Sequence, residues 1–172
     1  GAVDQRPQRG EQPALVQRLR KFREHGVFVL GSFIFGLPSD RPSTFDATAE
    51  VAERAEVAFA QFVMLTPYPG TVDFESWEKK VGAAAERVDG VPVTRHWLIP
   101  QAQRPKIYTP HPVMTADEIR ARTQAVWDRF YSLRRIWARS RCAESLRARL
   151  AFVLVSKLYR QMYANTGIAT DS

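Results

Sequence analysis

The chain has 172 residues, 45% hydrophobic and 25% charged, with a net charge of +7; these values suit a soluble globular domain, alone or with an appendage, and exclude a disordered polyelectrolyte. One cysteine excludes an internal disulfide and fits a reducing, cytoplasmic setting, and no uninterrupted apolar run approaches the roughly 18 residues a membrane span requires. Residues 1–60 and 61–100 net 0 and −1 whereas 101–172 net +8, so a basic tail is available to an acidic partner or an anionic surface.

Residues 1–12 are polar, carry Pro7 and Gly10, and form a flexible lead-in; a chain that opens Gly-Ala also reads as part of a longer one. Pro13 suits a first helical turn, and Leu15, Val16, Leu19 and Phe22 lie on one face of a helix ending at His25-Gly26. His25 belongs to that helix end.

Residues 27–71 organise the chain. Val27 to Phe35 and Phe59 to Leu65 are short, continuously apolar and bounded by Gly and Pro, which favours buried strands. A helical segment joins them, with Ser43 and Asp46 as a capping box behind Pro42 and a small-residue face of Phe45, Ala49 and Ala52. This is a βαβ unit. Its strands are parallel, so the loops that leave them, GLPSD and TPYPGT, emerge on one edge, where parallel sheets bind ligands. In the second loop Pro67 and Pro69 stiffen the backbone and hold Tyr68 outward; Tyr68 faces substrate or packs over the mouth of the fold. Two strands alone leave an unpaired sheet edge.

Asp73, Glu75 and Glu78 follow in a polar, solvated helix-like stretch. Residues 81–114 are irregular: Gly90-Val-Pro marks a turn, Val93 to Ile99 reads as a short strand, and Pro100, Pro105, Pro110 and Pro112 forbid a long helix. His96 and His111 lack a neighbouring carboxylate or a third ligand at metal spacing, which favours structural roles, although His111 can reach a substrate carboxylate.

Thr115-Ala-Asp-Glu118 is a capping box, opening a helix with Ile119, Val126, Phe130, Leu133 and Trp137 on its apolar face. A second helix carries Leu146, Leu150, Val153, Leu154 and Leu158 and ends near Asn165-Thr-Gly167. Together they make a basic helical hairpin over 115–167, with Arg134, Arg135, Arg139, Arg141, Arg147 and Arg149 as its positive surface, before a tail at 168–172. No recognised nucleic-acid motif accompanies these arginines. Cys142 at the junction is an inert small residue.

The order FGLPSD, a Pro-Ser-Thr-Phe helix start and QFVMLTPYPGT resembles the fifth and sixth strands of radical S-adenosylmethionine (SAM) enzymes, especially the branch that often has an amino-terminal cobalamin-binding domain. The resemblance runs over residues 13–137, through Trp97-Leu-Ile-Pro, Arg104-Pro-Lys-Ile-Tyr and His111-Pro-Val-Met. It implies an α/β fold in which 13–80 are the last βα units of a partial (β/α) barrel, with SAM as cofactor. Ser32-x-Ile34-x-Gly36, followed by Asp40, stands where the family often has Gly-x-Ile-x-Gly and an acid; Ser32 departs from that pattern. By resemblance, Ser32, Ile34 and Gly36 lie near the adenosine or methionyl part of SAM and Leu65 flanks the adenine, while Tyr68 and His111 face substrate.

Radical SAM chemistry needs a [4Fe-4S] cluster on three closely spaced thiolates, and Cys142 is the sole cysteine. The resemblance therefore implies the carboxyl-terminal part of a larger enzyme. Its missing amino-terminal part would hold the cluster and, in that branch, cobalamin, and its substrate would be a small or lipid-like molecule. The competing reading is a non-catalytic binding module whose basic hairpin docks on an anionic partner or peripherally on a membrane.

Overall fold

The computed structural model describes residues 12–104 and 111–165. The lead-in, Arg104-Pro-Lys-Ile-Tyr, the Thr166-Gly167 end and the tail lie wholly or largely outside these residues.

Helix α1 (Gln12–Glu24) seats Val16 in the core and ends at Gly26, whose φ of +75° closes the last turn. His25 donates from Nδ1 to the Lys21 carbonyl at 2.8 Å, satisfying a helix-end acceptor as its position suggested. Strand β1 (Leu30–Phe35), helix α2 (Pro42–Arg54) and strand β2 (Phe59–Met64) then form the expected unit: the strands are parallel, in register from Leu30 opposite Phe59 to Phe35 opposite Met64. Phe45, Ala49 and Ala52 of α2 are buried, the small side chains allowing the helix to approach the sheet. The cap differs from the Ser43–Asp46 box. Helix α2 starts two residues earlier, with Pro42 in its first turn, and the Arg41 N–H donates to Thr44 Oγ1 at 3.0 Å.

The sheet has two strands among the described residues, and its two faces differ. Phe35 and Phe62 lie against helices: Phe35 stacks on Phe45 at 4.3 Å, and Phe62 meets Trp127 and Phe130 edge-on at 5.5 and 5.6 Å. On the opposite face, Phe59 packs on Phe152 and Tyr159, and Gln61 bonds the Tyr163 hydroxyl. The β1 half of that face stays open, with Leu30, Ser32 and Ile34 exposed.

Helix α3 (Val72–Val81) is capped by Thr71 Oγ1, which accepts from the Phe74 N–H. Its polar face is solvated as expected, and its Phe74 and Trp77 build a second small core with Val93. The strand expected at Val93–Ile99 is not formed. A hairpin of β3 (Arg87–Val88) and β4 (Val91–Pro92) turns on Asp89-Gly90, both at positive φ, and short 3-10 turns follow over Val93–Leu98. The Asp-Gly pair sets a two-residue turn, and the pairing is finished by Pro92.

In place of a two-helix hairpin there are three helices: α4 (Ala116–Phe130), α5 (Leu133–Arg139) and α6 (Leu146–Asn165). Thr115 caps α4 as expected, its Oγ1 accepting from Glu118 N–H. The chain breaks at Tyr131-Ser132, where Tyr131 turns to the sheet and Ser132 Oγ donates to the Arg129 carbonyl at 2.9 Å. That break shifts the phase of the apolar pattern, so Ile136 is buried while Leu133 and Trp137 are exposed. Helix α6 is also turned from the expected face: Phe152, Ser156 and part of Val153, Tyr159 and Tyr163 face inward, and Leu146, Leu150, Leu154 and Leu158 face outward.

Candidate functional site

The two loops leave the same edge, and the strand ends set them in contact. Leu65 N–H donates to the Phe35 carbonyl at 2.7 Å, extending the parallel ladder one residue past β2. Gly36 follows at φ +92°, a conformation that L side chains avoid, and a Cβ there would stand 3.8 Å from Leu65 Cβ. Gly36 therefore opens the first loop at the point where it touches the second.

Asp40 closes that first loop from within. Fully buried, it accepts through Oδ2 from the Gly36 and Leu37 N–H groups at 2.8 and 3.0 Å, while its own N–H donates to the Leu37 carbonyl. An acid four residues after a turn glycine is a legible signal for this clamp, since a short carboxylate readily caps nearby amides. The histidines act on the two loops in parallel. His111 donates from Nε2 to the Leu37 carbonyl at 3.0 Å, and its Nδ1 accepts from the Val113 and Met114 N–H groups at 3.1 and 3.0 Å. Those partners define the neutral ring with its proton on Nε2. His96, buried, donates from Nε2 to the Pro67 carbonyl of the second loop at 3.1 Å. Neither loop role was visible in the sequence, because the partners lie 74 and 29 residues away.

The structure thus brings Gly36 and Leu65 together and sets Ser32 and Ile34 side by side on the open face of β1, Ile34 being 48% exposed. His111 sits behind the first loop with both ring nitrogens engaged within the chain. Tyr68 stands at the tip of the second loop, 64% exposed, where the Thr71 hydroxyl donates to its carbonyl at 2.7 Å. The rim offers apolar surface, backbone groups and the hydroxyls of Ser32 and Tyr68. Among the described residues no group of three or more His, Cys, Asp and Glu side chains could hold a metal ion. Cys142 lies elsewhere, half-buried beside α5 and α6, and burial pushes its thiol pKa up, which disfavours the thiolate.

A mixed α/β chain with a small parallel sheet and two joined rim loops is the class the geometry defines. Against known proteins, the chain is 36% identical over 56 residues to a protein of Pyrococcus horikoshii described as an uncharacterized methyltransferase, covering 33% of this chain and 12% of that protein. It is 37% identical over 68 residues to the bacteriochlorophyllide d C-12(1)-methyltransferase of Chlorobaculum tepidum, covering 40% of this chain and 14% of that enzyme. The similarity is thus to a short stretch of two much longer methyltransferases. No family model matches the chain, and no solved structure does.

Proposed function

We propose that the chain is the carboxyl-terminal portion of a radical SAM methyltransferase, contributing SAM-binding and substrate-facing loops. The observation that carries this reading is the parallel β1–β2 pair, whose rim loops meet at Gly36 and Leu65 beside an open face bearing Ser32 and Ile34. Similarity to two methyltransferases supports methyl transfer, and the paired FGLPSD and TPYPGT loops support the radical branch.

The residues fit part of the group SAM presents. A neutral purine is held by shape and a few hydrogen bonds; Ile34 and Leu65 supply apolar surface, Ser32 a hydroxyl, and Gly36 the positive-φ turn that sets the first loop against Leu65. SAM is the methyl source when bound there, and Tyr68 meets a small or lipid-like substrate at the mouth. His111 serves the same pocket as a positioning residue, through the loop it holds. The residues do not fit an iron-sulfur cluster: three thiolates are required and the chain has one cysteine. Cluster and cobalamin would be held by polypeptide outside these 172 residues, and no step is assigned to either here.

The test uses the longest polypeptide that the natural reading frame encodes, reconstituted with iron and sulfide without oxygen. It should hold a cluster on three clustered cysteines and bind SAM, and Ile34→Asp should raise the SAM Kd at least about tenfold by placing a charge against the purine. Because Ile34 is exposed, unfolding should change by less than about 0.5 kcal/mol. A frame without the cysteines, or a Kd unmoved by Ile34→Asp, overturns the reading.

A further inference from the structure

Helix α6 is apolar on both its sides. Its inner face is occupied by Phe152, Ser156, Tyr159 and Tyr163, which pack on the sheet and α4. Its outer face carries Leu146, Leu150, Leu154, Leu158 and Met162, each one helical step of four from the last and each more than half exposed. A helix that is hydrophobic all round is ordinarily covered. The surface around this stripe is predominantly positive. Residues 133–165 contain eight Lys and Arg and one acid, Glu144, a net +7 equal to that of the whole chain. Five of the eight cations make contacts within the protein. Arg135 pairs with Glu53, Arg139 donates to the Phe130 carbonyl, Arg149 lies over Trp137, Lys157 donates to the Tyr131 carbonyl and Arg160 pairs with Asp128. Arg134 on α5, Arg141 in the turn that follows it and Arg147 in the first turn of α6 are exposed.

We propose that the outer face of α6 docks in the plane of an anionic lipid bilayer, its leucines entering the acyl boundary and Arg134, Arg141 and Arg147 meeting headgroup phosphates. Charge chooses among occupants. A second copy would bring two net-positive surfaces together, and a nucleic acid would offer no apolar phase to five aliphatic side chains, whereas an anionic bilayer matches both features at once. The helix lies on the membrane and does not cross it: none of the described helices is long and apolar enough to span one. The exposed Leu133–Trp137 pair on α5, joined to α6 through Arg149 stacked 4.2 Å over Trp137, adds an interfacial aromatic beside the first turn. This inference is independent of the rim loops.

The experiment measures partition of the chain onto vesicles of phosphatidylcholine alone and with phosphatidylglycerol, by co-sedimentation and tryptophan emission. Binding should require phosphatidylglycerol, weaken about fivefold for each of Arg134→Gln, Arg141→Gln and Arg147→Gln, and fall at least about tenfold in Leu154→Gln/Leu158→Gln. Circular dichroism should leave that double variant folded, since both positions face outward. No binding to the mixed vesicles, or binding that the leucine substitutions leave unchanged, overturns the proposal. So does a dimer dispersed by the same substitutions, which assigns the face to a second copy. Binding by this chain that is lost in the longer polypeptide assigns the face to an internal interface and also overturns it.

Discussion

Single side chains decide the shape of the rim. Asp40 satisfies two buried amides that the tight FGLPSD turn cannot pair with other backbone, and His111 ties the same turn to the start of α4. Replacing Asp40 by Ala leaves both N–H groups without their acceptor, and the loss of that acceptor costs about 1–3 kcal/mol. Urea unfolding of Asp40→Ala should show that loss, with Asp40→Asn, which keeps one carbonyl oxygen, losing about half as much. An unchanged midpoint for Asp40→Ala would mean that the clamp contributes nothing. The glycine and the acid of this loop are legible in the sequence because they meet each other within four residues. His96 and His111 could be placed only as structural residues, since nothing local indicates which carbonyl a distant ring will meet.

At the scale of elements, no strand pairs with the outer edge of β1 among the described residues, and the outer edge of β2 is closed. The Tyr131 hydroxyl accepts from the Ala60 N–H at 3.0 Å and donates to the Ala60 carbonyl at 2.9 Å, and Trp127 Nε1 donates to the Phe62 carbonyl at 2.7 Å. Two aromatic side chains of one helix segment thus stand where a neighbouring strand's amides and carbonyls would be. Burial pushes the Tyr131 pKa from 10.0 up to about 12. The folded state holds this proton more tightly than the unfolded chain, so the contribution is whole below pH 10 and is lost as pH rises from about 10 to 12. The loss amounts to about 2–3 kcal/mol. Comparison with Tyr131→Phe, followed by denaturant unfolding between pH 9 and 12, isolates the tyrosine: the variant should lack the steep alkaline decline. An identical decline in both proteins would refute the assignment.

Across the whole molecule, the helices converge on Glu53. Arg129 of α4 grips it through two parallel bonds of 3.0 Å and Arg135 of α5 adds a third at 2.6 Å, and Glu53 itself is 13% exposed. The bond to Glu53 holds the Arg129 pKa above its ordinary value. Glu53→Ala removes the shared acceptor of two partly exposed guanidinium groups, one of which keeps Asp46, and should cost about 1–2 kcal/mol, read as a lower thermal midpoint; a midpoint shifted by no more than a surface substitution would show that α2, α4 and α5 are held by apolar packing alone. Among the described residues the same assembly leaves two apolar surfaces exposed: the β1 half of the sheet, proposed to meet SAM, and the outer face of α6, proposed to meet lipid.

The sequence by itself determined the parallel strand pair, its two bent rim loops, the Thr115 cap and the location of the positive charge, because each depends on residue type and spacing within a few positions. Only the tertiary structure decided which side of α6 is buried, where the helix after Thr115 breaks and what closes the edge of β2. A helix apolar all round has no preferred face until aromatic partners from distant segments choose one, and a sheet edge has no partner until a helix some 70 residues away arrives at it.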